Sequence, residues 1–140
     1  MRINAYLLSL SGKAGRERVA GRLAERGLRM WHMATLAALA DFGPHSQRDL
    51  SIRLGIDPSD MTKVIDQLST AAHVGRTRDG TDRRRVLVSI TDRGRDLLAE
   101  LLRDAAAVDD MLLSGLTPGE RDELHALLLK VFAAARDVSP

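Results

Sequence analysis

The stretch from Ser46 to Leu68 constrains this chain more than any other, because two helix starts and a helix stop follow one another inside it. Ser46, with Asp49 three residues on, is an N-cap in the S-x-x-D manner, and Leu50 and Leu54 share one side before Gly55 ends the helix. Only Ile56 separates that stop from Asp57-Pro58, an N-cap followed by proline at the first helical position. The helix that follows carries Met61, Val64, Ile65 and Leu68 inward at helical spacing. Two short helices joined by a tight glycine-containing turn fold as a helix-turn-helix.

The flanking sequence completes the pattern. Residues 3 to 26 read as a helix through Ile3, Tyr6, Leu7, Leu10 and Ala14. Gly12, Gly15 and Gly21 each weaken it by roughly 1 kcal/mol relative to alanine, so a kink or break is expected near Ser11–Gly15. A second helix runs from Arg29 to about Asp41, with Met30, Met33, Ala34, Ala37 and Ala40 on one face, and Gly43-Pro44 stops it. Beyond the helix-turn-helix, Arg76–Arg78 and Arg85–Ile90 read as strands, Val86, Val88 and Ile90 alternating, with Asp79-Gly80 as turn residues. Such a hairpin is a wing. Thr91-Asp92-Arg93-Gly94 caps a helix striped by Leu97, Leu98, Leu101, Leu102, Ala105, Val108, Met111 and Leu112. Thr117-Pro118-Gly119-Glu120 is a capping box that opens the last helix, with Leu124, Leu127, Leu128, Val131 and Phe132 on its apolar face. The expected fold is mainly α with a small β-wing: a winged helix-turn-helix between N- and C-terminal helices.

Composition removes several function classes. A chain of 140 residues makes one domain, and the absence of cysteine excludes disulfide scaffolds, iron–sulfur clusters, thiolate zinc sites and thiol redox sensing. With 3% aromatics the chain is poorly equipped to stack single-stranded bases. The apolar runs Trp31–Leu39 and Leu124–Ala135 are too short to span a membrane, and each carries His or Lys. Met1-Arg2-Ile3-Asn4 leads into polar, Gly-containing sequence by Gly12 without a signal-peptide pattern, which points to the cytoplasm. His32, His45, His73 and His125 lie far apart with no metal-ligand spacing, and neither G-x-S-x-G nor a P-loop is present. Neither an enzyme nor a metal or other cofactor is expected. Net charge is only +2, yet Arg76–Arg95 holds seven arginines against three aspartates, while Asp96–Glu123 holds eight acids against two arginines. One end of the molecule therefore presents a positive field.

With these motifs in this order, the chain resembles the MarR family of bacterial transcriptional regulators, from about Leu28 to Val138 and more loosely over the first helix. The wing motif, D-x-R followed by an apolar strand and L-T-x-x-G, stands here as Asp82-Arg83-Arg84-Arg85-Val86-Leu87-Val88-Ser89-Ile90-Thr91-Asp92-Arg93-Gly94. The run Asp57-Pro58-Ser59-Asp60-Met61-Thr62-Lys63 is similar to the family's recognition helix, and Leu28-Arg29-Met30-Trp31 to the start of its second helix. Ala71-Ala72-His73-Val74 departs from it, lacking the glycine common before the first wing strand, which puts the angle of the wing in question. The resemblance implies one unit over 1–140, with a DNA-binding part over 30–96 and dimerisation helices over 1–26 and 97–138.

Ser59, Thr62 and Lys63 lie opposite the apolar face of the recognition helix, where they are free to meet base edges, and Gln67 follows along the backbone. Asp60 either caps that helix and favours its dipole or accepts from a cytosine amino group. Ser46 and Gln47 are phosphate contacts or simple caps, two compatible roles. By the motif match Arg84 enters the minor groove and Asp82 shapes the wing, while Arg83 and Arg85, sharing the opposite face by alternation, meet phosphates or solvent. A winged helix that binds protein instead of DNA is the competing reading, and it has no use for seven arginines here.

The first and last helices carry more apolar surface than so thin a reader domain can cover. The resemblance implies a homodimer built from them, hence a near-palindromic double-stranded operator, and a repressor rather than an activator. It also implies a small-molecule effector site, commonly for aromatic acids, near where these helices meet the reader. Tyr6, Arg16, Trp31 and His32 are the residues to look at there, although Tyr6 and Trp31 read equally as core and His32 as a satisfied histidine.

Overall fold

The computed structural model describes residues 3–137. Met1 and Arg2 of the N-terminal span, and Val138 at the end of the C-terminal one, lie outside the described residues. The order is α1 (Asn4–Glu25), α2 (Met30–Phe42), α3 (Gln47–Leu54), α4 (Pro58–Thr70), β1 (Val74–Arg78), β2 (Val86–Ile90), α5 (Asp92–Leu112) and α6 (Pro118–Asp137). None of the described helices is long and apolar enough to cross a membrane.

Each local signal for a helix start is realised as a bond. Ser46 Oγ accepts the Asp49 N–H at 3.1 Å, Asp57 Oδ1 the Ser59 N–H at 2.8 Å, and Thr91 Oγ1 the Gly94 N–H at 3.0 Å. At α6 the box is reciprocal, Thr117 N–H to Glu120 Oε1 at 2.9 Å and Glu120 N–H to Thr117 Oγ1 at 3.2 Å. Gly55 closes α3 in the left-handed region, φ 65°, where a side chain is disfavoured.

Three expectations need correction. First, α1 runs unbroken through Ser11–Gly15. A glycine costs a helix too little to break it alone, and Gly15 lies where a Cβ would come within 3.4 Å of Leu112 Cδ1 on α5. Second, α2 buries most deeply His32, Thr35, Leu36, Ala38 and Leu39; of the expected face Met33, Ala37 and Ala40 pack against the core only partly buried, and Met30 is exposed. An almost wholly apolar helix has no polar face to betray its orientation, and here two polar side chains point inward. Third, Arg83 and Arg84 are not in extended strand, so alternation does not place them. They form a turn closed by the Arg85 N–H to Asp82 O at 3.0 Å.

The core lies between α2, α3, α4, the hairpin and the first half of α5, where Leu36, Leu50, Met61, Ile65 and Val88 are sealed from solvent. In the antiparallel hairpin Val74 pairs with Ile90, Arg76 with Val88 and Arg78 with Val86. His45, between α2 and α3, adds a third edge: its N–H and C=O exchange bonds of 3.0 and 2.7 Å with Val88.

The link from α4 to β1 shows how the chain turns without the missing glycine. The His73 N–H reaches Leu68 O at 2.8 Å and the Ala72 N–H reaches Ser69 O at 3.0 Å, a Schellman ending in which Ala72 takes φ 61°. The turn closes with a side chain in the left-handed region. Ala72→Gly is therefore expected to stabilise the chain by about 0.5–1 kcal/mol, the relieved strain less glycine's extra unfolded-state freedom. Urea unfolding checks this; an unchanged or lower midpoint would mean that the alanine is unstrained.

Outside the core, apolar surface remains open. Ile3, Tyr6, Leu7 and Leu10 of α1 are each about half exposed, and α6 has no buried residue at all, with Leu127 57% and Phe132 61% exposed.

Candidate nucleic-acid interface

The face of α4 away from the core carries Ser59, Thr62 and Lys63, with α3 on one side and the hairpin on the other. Ser59 is partly committed to the cap, its hydroxyl donating to Asp57 Oδ1 at 2.6 Å. That bond, and then the Ser59 N–H, hold the Asp57 carboxyl below its usual range. The N-cap bond is thus made by Asp57, and Asp60 stands in the first turn, where the helix dipole favours a carboxylate. Thr62 donates to Pro58 O at 3.0 Å and accepts the Gln47 amide at 3.3 Å. Lys63 is exposed and has no ion-pair partner among the described residues.

The hairpin tip is built by two aspartates. Asp79 Oδ1 accepts the Thr81 N–H at 3.0 Å and its hydroxyl at 2.9 Å, which keeps the Asp79 carboxyl below its usual range. Asp82 Oδ1 accepts the Arg84 N–H at 3.0 Å, so Asp82 shapes the segment that carries Arg84. The Arg83 and Arg84 side chains are exposed and make no hydrogen bond or ion pair among the described residues. Arg85 differs: it is ion-paired with Asp49 of α3.

Gln67 is turned the other way. His32 Nδ1 accepts the Arg29 N–H at 2.9 Å, which leaves Nε2 to carry the proton and donate to Gln67 Oε1 at 2.6 Å. This pair borders a cleft of about 430 Å³ whose other walls include Arg26, Leu28, His73 and Leu97. Arg26 is spoken for by Glu100 at 2.7 Å and Asp104 at 3.0 Å. The buried His73 Nδ1 has no partner among the described residues, and burial, then the Arg93 charge, push that imidazole below its ordinary value. Of the four effector candidates His32 alone lines the cleft; Tyr6, Arg16 and Trp31 are exposed outside it.

Sequence reasoning missed the pairs Asp49–Arg85 and Asp66–Arg76, the latter at 2.6 Å. An acid–arginine pair far apart in sequence leaves no local signal. It also missed His73, whose place in the cleft follows from the turn that Ala72 makes.

A model of the MarR family matches residues 26–85. The HTH-type transcriptional regulator YkoM of Bacillus subtilis is 32% identical over 106 residues, covering 76% of this chain and 69% of YkoM. The chain belongs to the MarR family. The HTH-type transcriptional repressor NicR of Pseudomonas putida is 32% identical over 97 residues, 69% of this chain and 61% of NicR, so the match spans less than two thirds of that relative. Among solved structures, apo MarR of E. coli superposes with TM-score 0.82 at 20% identity, covering 94% of this chain and 97% of that one, a likeness of fold. BpsR of Bordetella bronchiseptica, whose DNA binding is regulated by 6-hydroxynicotinic acid, gives 0.71 at 28% identity, covering 93% of each chain. RV2887 of Mycobacterium tuberculosis, solved with salicylic acid, gives 0.75 at 26% identity, covering 94% of this chain and 97% of that one.

Proposed function

We propose that this MarR-family chain is a homodimeric repressor that reads a near-palindromic double-stranded operator and is released by a small aromatic or anionic ligand. One observation carries the DNA reading: two unpaired guanidiniums, Arg83 and Arg84, stand at a shaped hairpin tip beside a capped helix whose outer face offers Thr62 and Lys63. A fork of N–H donors at a wing tip suits the narrow minor groove, and the start of α4 suits base edges in the major groove. Arg83 and the first turn of α3, with Ser46 and Gln47, then serve the phosphates. Residues 30–96 form the reading part. Residues 1–26 and 97–138 hold the dimer, because the bare apolar faces of α1 and α6 need a cover that the described residues do not supply. Two-fold symmetry puts half-sites roughly 34–36 Å apart. Such a protein works in the cytoplasm, where bacterial DNA is.

The cleft beside His32 and Gln67 is the place for the effector. The buried His73 Nδ1, without a partner among the described residues, suits an acid or hydroxyl on a flat ring, the class that BpsR and RV2887 meet. Fluorescence anisotropy on duplex DNA from upstream of the chain's own gene, across a salt series, tests the reading. Log affinity is expected to fall by about 0.9 per phosphate contact for each tenfold rise in salt. Absence of binding at low salt, to this or to random duplex, would overturn it in favour of a protein partner.

A further inference from the structure

We propose that Asp49 and Asp66 are positioning residues that fix the wing against the recognition helix, and that Arg76 and Arg85 serve this brace rather than the DNA backbone. The functional consequence rests on the DNA reading above; the brace itself does not.

Asp66, on α4, takes Arg76 of β1 at 2.6 Å, and Asp49, on α3, takes Arg85 just before β2, 36 positions along the chain. The same Arg76 nitrogen reaches Gln47 Oε1 at 3.4 Å, and the Gln47 amide continues to Thr62 Oγ1 at 3.3 Å. One run of polar contacts therefore joins α3, α4 and β1, and a second pair joins α3 to the start of β2. Both ion pairs are partly exposed, with side-chain exposures of 35% and 60% for Arg76–Asp66 and 46% and 43% for Arg85–Asp49. Pairs this open contribute little to global stability, so their value lies in the angle they set. A carboxylate beside a phosphate-reading face repels DNA, and two of them there are costly unless each has a cation to hold. Beyond its base the wing has no other polar tie to the helices among the described residues. Its base is fixed by the His45–Val88 bridge, by buried Val74 and Val88 and by the Thr91 bonds to Ala72 O and His73 O, while the tip is shaped internally by Asp79 and Asp82. Without the braces the segment carrying Arg84 can swing about that base. Two of the basic residues in the hairpin are thereby withdrawn from phosphate binding, and the salt dependence reflects Lys63, Arg83 and their neighbours instead.

The experiment has two arms. In the first, unlabelled variants are titrated on the upstream duplex and on a random duplex across a salt series. Arg76→Gln is expected to narrow the preference for the upstream duplex by about fivefold with its salt slope unchanged. Asp66→Asn is expected to narrow it likewise, but with a slope steeper by about 0.9 as the released Arg76 reaches a phosphate. Asp66→Glu restores most of the preference. A slope shallower by about 0.9 in Arg76→Gln makes that arginine a phosphate contact and overturns the proposal. So does Asp66→Asn binding both duplexes more tightly with the preference intact. The second arm needs no DNA. Because the chain has no cysteine, Arg48→Cys on α3 and Arg83→Cys at the tip can be spin-labelled as a pair. Their distance distribution is expected to broaden and shift when Asp49→Asn and Asp66→Asn are added together. An unchanged distribution overturns the brace even if DNA binds; a broadened one upholds it even if the wild type binds no duplex.

Discussion

Arg84→Ala is expected to weaken binding to the upstream duplex by roughly 10- to 100-fold, about 1–3 kcal/mol, while dimerisation and melting stay as they are. The two halves of that result have separate causes. The guanidinium has no partner among the described residues, so its removal takes nothing from the fold they form. What shapes the tip is the backbone N–H of residue 84 on Asp82 Oδ1 and the Arg85 N–H on Asp82 O, and alanine keeps both. Arg84→Lys should recover only part of the loss, since an ammonium keeps the charge but not the fork of donors. Arg85→Ala offers the contrast: its side chain is held by Asp49, so the effect should appear as lost selectivity rather than as a lost contact. Anisotropy titration with a melting curve for each variant decides the matter. An Arg84→Ala protein with full affinity removes Arg84 from the interface.

Much of this frame was legible because it is written in bonds between residues two or three apart. Ser46, Asp57, Thr91 and Thr117 each close a helix start on their own neighbours, and such bonds depend little on the rest of the fold. The helix-turn-helix and the wing follow from those stops and starts. Harder to read was anything set by rotation about a helix axis. On α2, His32 and Thr35 face inward and Met30 faces out, the reverse of what polarity suggests; the buried Thr35 hydroxyl has no partner among the described residues, while His32 is satisfied by the Arg29 N–H and by Gln67. The same bond takes Gln67 away from the outer face where helical spacing had put it.

The site divides along the same line. That Arg84 and Lys63 are exposed could be anticipated, because exposure at a turn tip or on an outer helix face is local. The fate of Arg76 and Arg85 could not, since it depends on carboxylates of α3 and α4 that only the folded chain brings near. The departure at Ala72 was visible as a missing glycine. Its consequence was not: the turn survives with an alanine at φ 61°.

Gly94→Ala is the second large effect, and its sign runs against helix propensity. Residue 94 lies in the first turn of α5, where alanine would ordinarily gain up to about 1 kcal/mol over glycine. Its φ is not positive, so conformational freedom is not what this glycine supplies. Space is. A Cβ there would stand 2.0 Å from the carbonyl oxygen of His73 and 2.8 Å from Ile90 Cγ1. That carbonyl is not free to retreat, for it accepts the Thr91 N–H at 3.1 Å, and the Thr91 hydroxyl donates to Ala72 O at 2.7 Å. The start of α5 is thus stapled against the turn that leads into β1, and an added methyl must pry the two apart. Both the end of the recognition helix and the end of β2 would shift with it. The expected loss is about 3 kcal/mol or more, at the upper end of what overpacking costs. Gly80→Ala, where a Cβ meets nothing within 4 Å, should change stability by less than about 0.5 kcal/mol. Denaturant unfolding of both variants separates close approach from propensity: a Gly94→Ala chain as stable as the wild type would show that α5 does not lie against this turn.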